Sequence, residues 1–209
     1  MIPQGIVYAM EIVIATWNAH KVDELRLLFP EHHLLLPSEL GLSVHDIDEK
    51  GSTYLENACI KAEAVFKLCK RPTLADDSGL SVAILNGAPG IKSARFGSED
   101  GTTKLDATER NVLLLEHMKG QTDRRCAFIC CLVLMYDTNR FVSVQETCPG
   151  LLTEHPRGLG GFGYDPVVYL PELGKTVAEL TSEEKNQVSH RGRAAFRMNR
   201  ILSVLELKK

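Results

Sequence analysis

The stretch EIVIATWNAHKVDELRLLF, residues 11–29, decides the fold of this chain. Its β-branched run from 11 to 15 predicts a buried strand, and residues 16–18 interrupt that pattern. The apolar spacing from Lys21 to Phe29 then predicts a helix. A strand, a loop and a helix in this order are typical of α/β proteins, whose ligands bind where the strands end.

The rest of the chain continues this alternation. Apolar residues from Leu55 to Cys69 recur at spacings of three and four, which predicts an amphipathic helix beginning near Thr53. Further strands are predicted at 34–36, 42–44, 73–75, 125–136, 141–148 and 167–170, and further helices at 105–118, 181–187 and 192–207. Because no repeat or linker interrupts the pattern, residues 10–209 are predicted to form one α/β unit. Residues 1–9 are an N-terminal extension of unknown role.

Composition excludes several classes of protein. Twenty-four Lys and Arg residues face 27 Asp and Glu residues, and this net charge of -3 lacks the basic excess of a duplex-binding protein. No run of 18 apolar residues occurs, and residues 1–9 lack the charged start of a signal peptide. The six cysteines lack metal-site spacing, so they are expected to be buried thiols in a reducing cytoplasm.

Two polar segments follow predicted strands. The loop Thr16-Trp17-Asn18-Ala19-His20-Lys21 offers amide donors, a hydroxyl and a cation, so it could cradle a phosphate. The alternative is an N-capped turn with a solvated lysine. The run Asp76-Asp77-Ser78-Gly79 is predicted to form a turn that either holds a hard cation such as Mg²⁺ or is an ordinary Asp-rich turn.

Three positions near the long helix have both a functional and a structural interpretation. Asp48 or Glu49 could add a carboxylate to a metal site, or both could belong to a solvated charged loop. Glu56 fits a capping box with Thr53 and also a supporting catalytic role. Lys61 lies away from the apolar stripe, so it could reach an anion or remain solvated.

The second half of the chain carries candidate residues for binding a flat heterocycle. Phe162, Gly163, Tyr164 and Asp165 end a glycine-rich segment, although packing of the two aromatic rings in the core is an equally good interpretation. Arg95 follows a Gly-Pro loop. A group of titratable or cationic residues at the junction of the last two helices is either a binding cluster or a surface charge run; it comprises Lys185, His190 and Arg191.

Six segments in this order resemble the inosine/xanthosine triphosphate pyrophosphatases. They are residues 16–21, 56–62, 75–80, 87–96, 160–166 and 184–191. The resemblance implies an α/β fold with an elongated mixed β-sheet flanked by helices, of the ITPase-like or anticodon-binding-domain-like type. It also implies two lobes with the active site in the cleft between them, and a homodimer, while the cytoplasmic location is expected from the cysteines.

The activity implied by the resemblance is the Mg²⁺-dependent hydrolysis of ITP, dITP and XTP to the nucleoside monophosphate and pyrophosphate, which cleanses the nucleotide pool. Asp77 matches the catalytic base and a metal ligand, and Asp48 matches the other metal ligand, with Glu49 as the alternative. Positions matching substrate contacts lie in four parts of the chain: Thr16, Trp17, Asn18, Ala19, His20 and Lys21; Lys61, Ser78 and Arg95; Phe162, Gly163, Tyr164 and Asp165; Lys185, His190 and Arg191.

Two other functions remain open at this point. A nucleotide sensor would keep the fold without turnover, but it would have no need of both Asp76 and Asp77. A pyrophosphatase for pyrimidine or modified nucleotides is the second, and the segment Ser189-His190-Arg191 favours purines instead. Trp17 departs from the small residue that is usual in the phosphate loop of the family, and it is expected to cover the triphosphate or to slow turnover.

Overall fold

The computed structural model describes residues 10–44, 47–100, 103 and 105–205, and the predicted extension at residues 1–9 lies outside them. The helices in these ranges are α1 (Ala19–Leu28), α2 (Tyr54–Cys69), α3 (Ala107–His117), α4 (Ser182–Val188) and α5 (His190–Leu202). The strands are β1 (Glu11–Ile14), β2 (His33–Leu35), β3 (Thr73–Val82), β4 (Arg125–Asp137), β5 (Arg140–Leu152), β6 (Val168–Leu170) and β7 (Lys175–Thr176). No helix among the described residues is both long and apolar enough to cross a membrane.

The strands form one mixed sheet in the order β2-β1-β3-β4-β5-β6-β7. Strand β1 pairs in parallel with β2 and β3, so that Val13 lies opposite Leu35 on one side and Thr73 on the other. Strands β5, β6 and β7 pair antiparallel. The predicted α/β class, with a mixed sheet flanked by helices, is therefore confirmed.

Helix α2 forms where its apolar stripe predicts it. The Thr53 side chain accepts a hydrogen bond from the Glu56 amide and so caps the first turn. Ala58, Ala62 and Val65 are fully buried on one face. The helix stops at Lys70, whose φ of 52° lies in the left-handed region.

Two strand predictions are wrong. Strand β3 does not end before Asp76 but continues through the predicted Asp-rich turn to Val82, because β4 lies beside it in the sheet and supplies partners for its backbone. Leu42–Val44 is not a strand. Strand β5 also extends beyond 148 to Leu152, and the last helix ends at Leu202.

The described residues divide into two compact units. The first takes residues 10–76, 131–144 and 195–205, and the second takes residues 77–130 and 145–194. Helix α2 packs on Val13, Ala75 and Val133 in the core of the first unit. Leu114, Phe128 and Val168 belong to the core of the second. The cleft predicted between two lobes stays a prediction.

Candidate active site

Strand β3 carries two adjacent buried carboxylates, since Asp76 is 0% and Asp77 6% exposed. Successive side chains of a strand point to opposite faces of the sheet, so the two carboxylates are separated. Lys21 Nζ forms a close ion pair with Asp76 Oδ1, which offsets the cost of burying that charge. The predicted role of metal ligand therefore suits Asp77 better than Asp76.

The loop before α1 is an N-capped turn, and its lysine is not solvated. Asn18 Oδ1 accepts a hydrogen bond from the Lys21 amide at 3.4 Å, and Thr16 Oγ1 accepts one from the Asn18 amide at 3.3 Å. Ala19 and His20 form the first turn of α1. The helix N-terminus and the Lys21 ammonium both favour negative charge here, so the turn remains compatible with the predicted phosphate contact.

Trp17 is the exposed member of this loop. Its side chain bears an indole Nε1 that donates a hydrogen bond to the Val44 carbonyl at 3.1 Å, and the residue is 48% exposed. Val44 packs against the core of the first unit. The segment predicted as the strand 42–44 is therefore held by side-chain contacts and not by pairing in the sheet.

The two candidate metal ligands lie in an acidic segment, residues 47–51, and have different partners. Asp48 is highly exposed and pairs with the exposed Lys50 at 2.7 Å. Glu49 pairs at 3.0 Å with Lys61, which is only 5% exposed. Lys61 is thus not the solvated lysine of the structural interpretation.

Gly51 and Glu56 shape the end of this segment. The Gly51 amide donates to Asn57 Oδ1 at 2.8 Å, and a Cβ on Gly51 would meet that oxygen at 2.6 Å, so only glycine fits. Glu56 accepts hydrogen bonds from the amide and hydroxyl of Ser52, and these bonds lower the pKa of its carboxyl group. Glu56 therefore caps the start of α2, as its structural interpretation has it, and its supporting catalytic role stays a prediction.

The aromatic loop, residues 160–165, lies in the second unit. Tyr164 is buried in the core, and its hydroxyl donates to the Ser93 carbonyl at 3.0 Å. Burial raises the pKa of this hydroxyl. Phe162 is only partly buried, so the core interpretation holds for Tyr164 alone. Arg95, partly buried, ends a 3₁₀ segment beginning at Gly90.

The cationic cluster at the α4–α5 junction is buried and is not a surface charge run. Lys185 is 7%, His190 6% and Arg191 1% exposed. Lys185 Nζ donates to Asp165 Oδ2 at 2.6 Å, and Asp165 also accepts the Phe162 amide at 2.8 Å. His190 stacks on Phe128 with ring centroids 4.8 Å apart.

Arg191 joins two predicted site segments within the second unit. Its guanidinium donates to Ser78 Oγ at 2.9 Å, next to Asp77 on β3. The same guanidinium lies 5.8 Å from the centroid of the Phe162 ring, and Lys185 Nζ lies 4.7 Å from it. The Arg191 side chain therefore connects β3, the strand that carries the predicted catalytic base Asp77, with the aromatic loop.

Sequence reasoning missed one polar contact to this loop. Asn111 of α3 donates through Nδ2 to the Gly163 carbonyl at 3.0 Å and is 5% exposed. Asn111, Leu114 and Met118 are all buried at helical spacing. A polar residue in an otherwise apolar stripe was the available signal.

The donor chemistry of the acidic residues suits Mg²⁺. This ion prefers carboxylate oxygens and keeps several waters, so one or two carboxylates suffice when phosphates complete the shell. Within the described part of the chain, no group of three or more His, Cys, Asp or Glu side chains could hold an ion. Asp77, Asp48 and Glu49 each offer oxygen donors of the kind that Mg²⁺ takes, and their joint role as metal ligands stays a prediction.

The fold and these residues define a class of protein: an α/β protein with lysines beside acidic residues in one unit and a cation-flanked aromatic loop in the other. The Ham1 family model matches residues 12–201, and the chain belongs to this family. A dITP/XTP pyrophosphatase of Treponema denticola is 51% identical over 193 residues, which cover 92% of this chain and 98% of the relative.

Two further relatives agree in sequence and in structure. A dITP/XTP pyrophosphatase of Escherichia coli is 43% identical over 189 residues, covering 88% of this chain and 93% of the relative. The structure of a HAM1 protein from Coxiella burnetii is 38% identical and matches with a TM-score of 0.84, covering 94% of this chain and all of that one. The roles of the individual site residues stay predictions.

Proposed function

We propose that this chain hydrolyses the deaminated purine nucleoside triphosphates dITP, XTP and ITP to the nucleoside monophosphate and pyrophosphate, and so cleanses the nucleotide pool. The observation that carries the proposal is the buried Arg191, which reaches from Ser78 beside Asp77 to the ring of Phe162. The names of the relatives, which are dITP/XTP pyrophosphatases, support the same reaction.

Asp77 acts as the base in this proposal. Its carboxylate takes a proton from water, whose oxygen attacks the α-phosphorus, and the bond from that phosphorus to the α–β bridging oxygen breaks. Pyrophosphate leaves with the bridging oxygen and its electron pair. The burial of Asp77 on β3 fixes the position of the carboxylate, which general-base catalysis requires.

Lysines bind the triphosphate. Lys21 and Lys61 each stand beside a carboxylate, Asp76 and Glu49 respectively. A bound triphosphate brings more negative charge than either carboxylate, so it competes for both ammonium groups. Cations on the phosphate oxygens stabilise the charge that develops on the leaving pyrophosphate.

Mg²⁺ is the proposed cofactor, with Asp77 and either Asp48 or Glu49 as its protein ligands. When bound, the ion neutralises phosphate oxygens and thereby helps the pyrophosphate to leave. The exposed Asp48 carboxylate can leave its Lys50 partner at little cost, because exposed ion pairs are weak. Glu49 would have to leave the buried Lys61, and this difference favours Asp48.

Discrimination against adenine follows from hydrogen-bond donors. Hypoxanthine and xanthine carry an oxygen at position 6, where adenine carries an amino group. A protein donor aimed at this position therefore finds an acceptor in an oxo-purine but none in ATP. Arg191 and His190 are the proposed donors. The Phe162 amide already donates to Asp165, so it is not available to donate to the base.

Homodimerisation and a cytoplasmic location are further parts of the proposal. All six cysteines are free thiols, which is compatible with a reducing compartment. Sedimentation at twice the chain mass of 23.2 kDa would support the dimer.

Pyrophosphate release from dITP, XTP, ITP, dATP, dGTP and dTTP with Mg²⁺ tests the proposed function. We expect rapid release from the first three only, loss of release with a chelator, and a fall of at least ~10³-fold in Asp77→Asn. Asp137→Asn is the matched control, because Asp137 lies exposed at the end of β4, 3.8 Å from Arg140. Nucleotide binding without release would indicate a sensor, and release from dTTP at the dITP rate would overturn the purine assignment.

A further inference from the structure

The aromatic loop needs contacts from other elements to fix its conformation, because its glycines restrict the backbone very little. Gly161 and Gly163 both have positive φ angles, 68° and 64°, which glycine adopts readily and other residues adopt rarely. Phe162 lies between them and carries the ring that the cations of α4 and α5 approach. The orientation of this ring therefore depends on how the neighbouring peptides are held.

Two side chains hold the peptides that follow Phe162. The Tyr164 hydroxyl donates to the Ser93 carbonyl and fixes the far side of the loop in the core. Asn111 Nδ2 donates to the carbonyl of Gly163, the residue that directly follows Phe162. Asn111 thus holds the Gly163 peptide, while the Asp165 carboxylate accepts the Phe162 amide on the other side of the ring.

The position of Asn111 is unfavourable for stability alone. It occupies the buried face of α3, with Leu114 and Met118 at the next helical positions. Its Oδ1 atom is buried and has no hydrogen-bond partner in the described part of the chain. A buried acceptor without a partner costs free energy, so a leucine would satisfy the stripe better if the Gly163 carbonyl needed no donor.

We infer that Asn111 is a positioning residue for base recognition: it fixes the Gly163 peptide, and through it the Phe162 ring, at the distance that an oxo-purine requires. The inference rests on the proposed function and concerns a residue that touches neither phosphate nor metal. Asn111 therefore affects nucleotide binding and the choice of base, and not the chemistry at the α-phosphorus.

Two variants separate the donor from the size of the side chain. Asn111→Asp has nearly the same shape but places an acceptor against the Gly163 carbonyl, and Asn111→Leu removes both polar atoms. In each variant we expect KM for dITP and XTP to rise about tenfold with kcat within about twofold. We also expect the kcat/KM ratio of dITP to dATP to fall by at least about fivefold, because a shifted ring no longer favours the oxo-purine.

The matched control is Val112→Ala, which changes the next residue of the same helix at a position 50% exposed. Its KM and base preference should equal those of the unmodified chain. Urea unfolding at 25 °C confirms that each variant is folded, and the leucine variant serves if the aspartate variant is not. Equal losses of kcat for all nucleotides, or an unchanged KM in Asn111→Leu, would overturn the inference; absence of any turnover in the unmodified chain would instead overturn the proposed function.

Discussion

The phosphate-side residues and the aromatic loop are stabilised in different ways. In the first unit, Lys21 and Lys61 are held by carboxylates, so their present partners are groups that a triphosphate competes with. In the second unit, the loop is held by hydrogen bonds from Tyr164 to the Ser93 carbonyl and from Asn111 to the Gly163 carbonyl. A base that binds at the Phe162 ring does not have to break either bond. Binding should therefore rearrange ion pairs on the phosphate side and leave the aromatic loop in place.

Among the substrate-binding residues, the largest expected effect follows removal of Lys21. In Lys21→Met, kcat/KM for dITP should fall by about 10²- to 10³-fold, because a cation is lost where negative charge develops. The free energy of unfolding should fall by about 3 kcal/mol, since Asp76 is fully buried. Steady-state kinetics and urea unfolding measure the two effects.

A second substitution separates these two effects. Adding Asp76→Asn to Lys21→Met removes the buried charge, so stability should recover in part while activity stays low. Arg26→Met is the control on α1, because Arg26 forms an exposed pair with Glu39 at 3.2 Å. An Lys21→Met variant with normal kcat/KM would contradict the phosphate contact.

Lys61 should show a smaller effect of the same kind. In Lys61→Met, kcat/KM should fall about tenfold, because the phosphate loses one cationic partner while Lys21 and Mg²⁺ remain. Lys67→Met on the same helix is the control, since Lys67 is exposed and pairs with Glu63 at 2.7 Å. If both variants lose activity equally, Lys61 has no specific contact with the substrate.

Tyr164 tests the aromatic side through pH. Burial raises the pKa of its hydroxyl, so below pH 10 the group is protonated in both states and its hydrogen bond to Ser93 contributes fully to stability. Above pH 10 the unfolded chain loses the proton first, and this contribution is lost progressively. Tyr164→Phe should be about 1 kcal/mol less stable at pH 7.5, and the difference should shrink between pH 10 and 11.

Urea unfolding of both proteins at several pH values measures this difference. Burial also raises the pKa of Cys126 to about 12, so both proteins should lose stability above pH 9 from this thiol. That loss cancels when the two proteins are compared. A difference that grows with pH would contradict the buried, protonated hydroxyl.

The parts of the fold that sequence predicted are those with local signals. The strand and helix of residues 11–29 and the helix α2 follow from periodicity and from the Thr53 cap. The predicted strand at 73–75 is shorter than β3 because Asp and Gly are rare in strands. In the structure, pairing in the sheet outweighs that preference. Residues 42–44 look like a strand in sequence, but their conformation depends on distant contacts such as Trp17 to Val44.

For the site, sequence predicted which residues to consider but not how they are paired. The burial of Lys185 and Arg191 depends on Asp165 and Ser78, which are distant in the chain. The same holds for Lys61 and Glu49. Pairing between residues from separate elements has no periodic signature, so the structure was needed to distinguish these buried cations from solvated ones.

The smallest expected effect concerns the bond from Trp17 to Val44. In Trp17→Phe a ring remains but the N–H donor is lost, and the Val44 carbonyl, which precedes the acidic segment in the chain, can bind water instead. The Mg²⁺ concentration for half-maximal pyrophosphate release should therefore rise only about threefold, as expected for one neutral hydrogen bond. Because Trp17 is the only tryptophan, quenching of its fluorescence by acrylamide, with and without Mg²⁺ and dITP, reports the loop directly.

Trp17→Gly separates the ring from the hydrogen bond. If the indole face covers the triphosphate, this variant should have a higher KM for dITP than Trp17→Phe; if the ring slows turnover, it should instead have a higher kcat. Phe141→Leu is the control, since Phe141 is a 43% exposed aromatic residue of β5. Equal constants for all three variants and the unmodified chain would mean that Trp17 acts neither on the acidic segment nor on the triphosphate, and the phosphate side would then depend on its ion pairs alone.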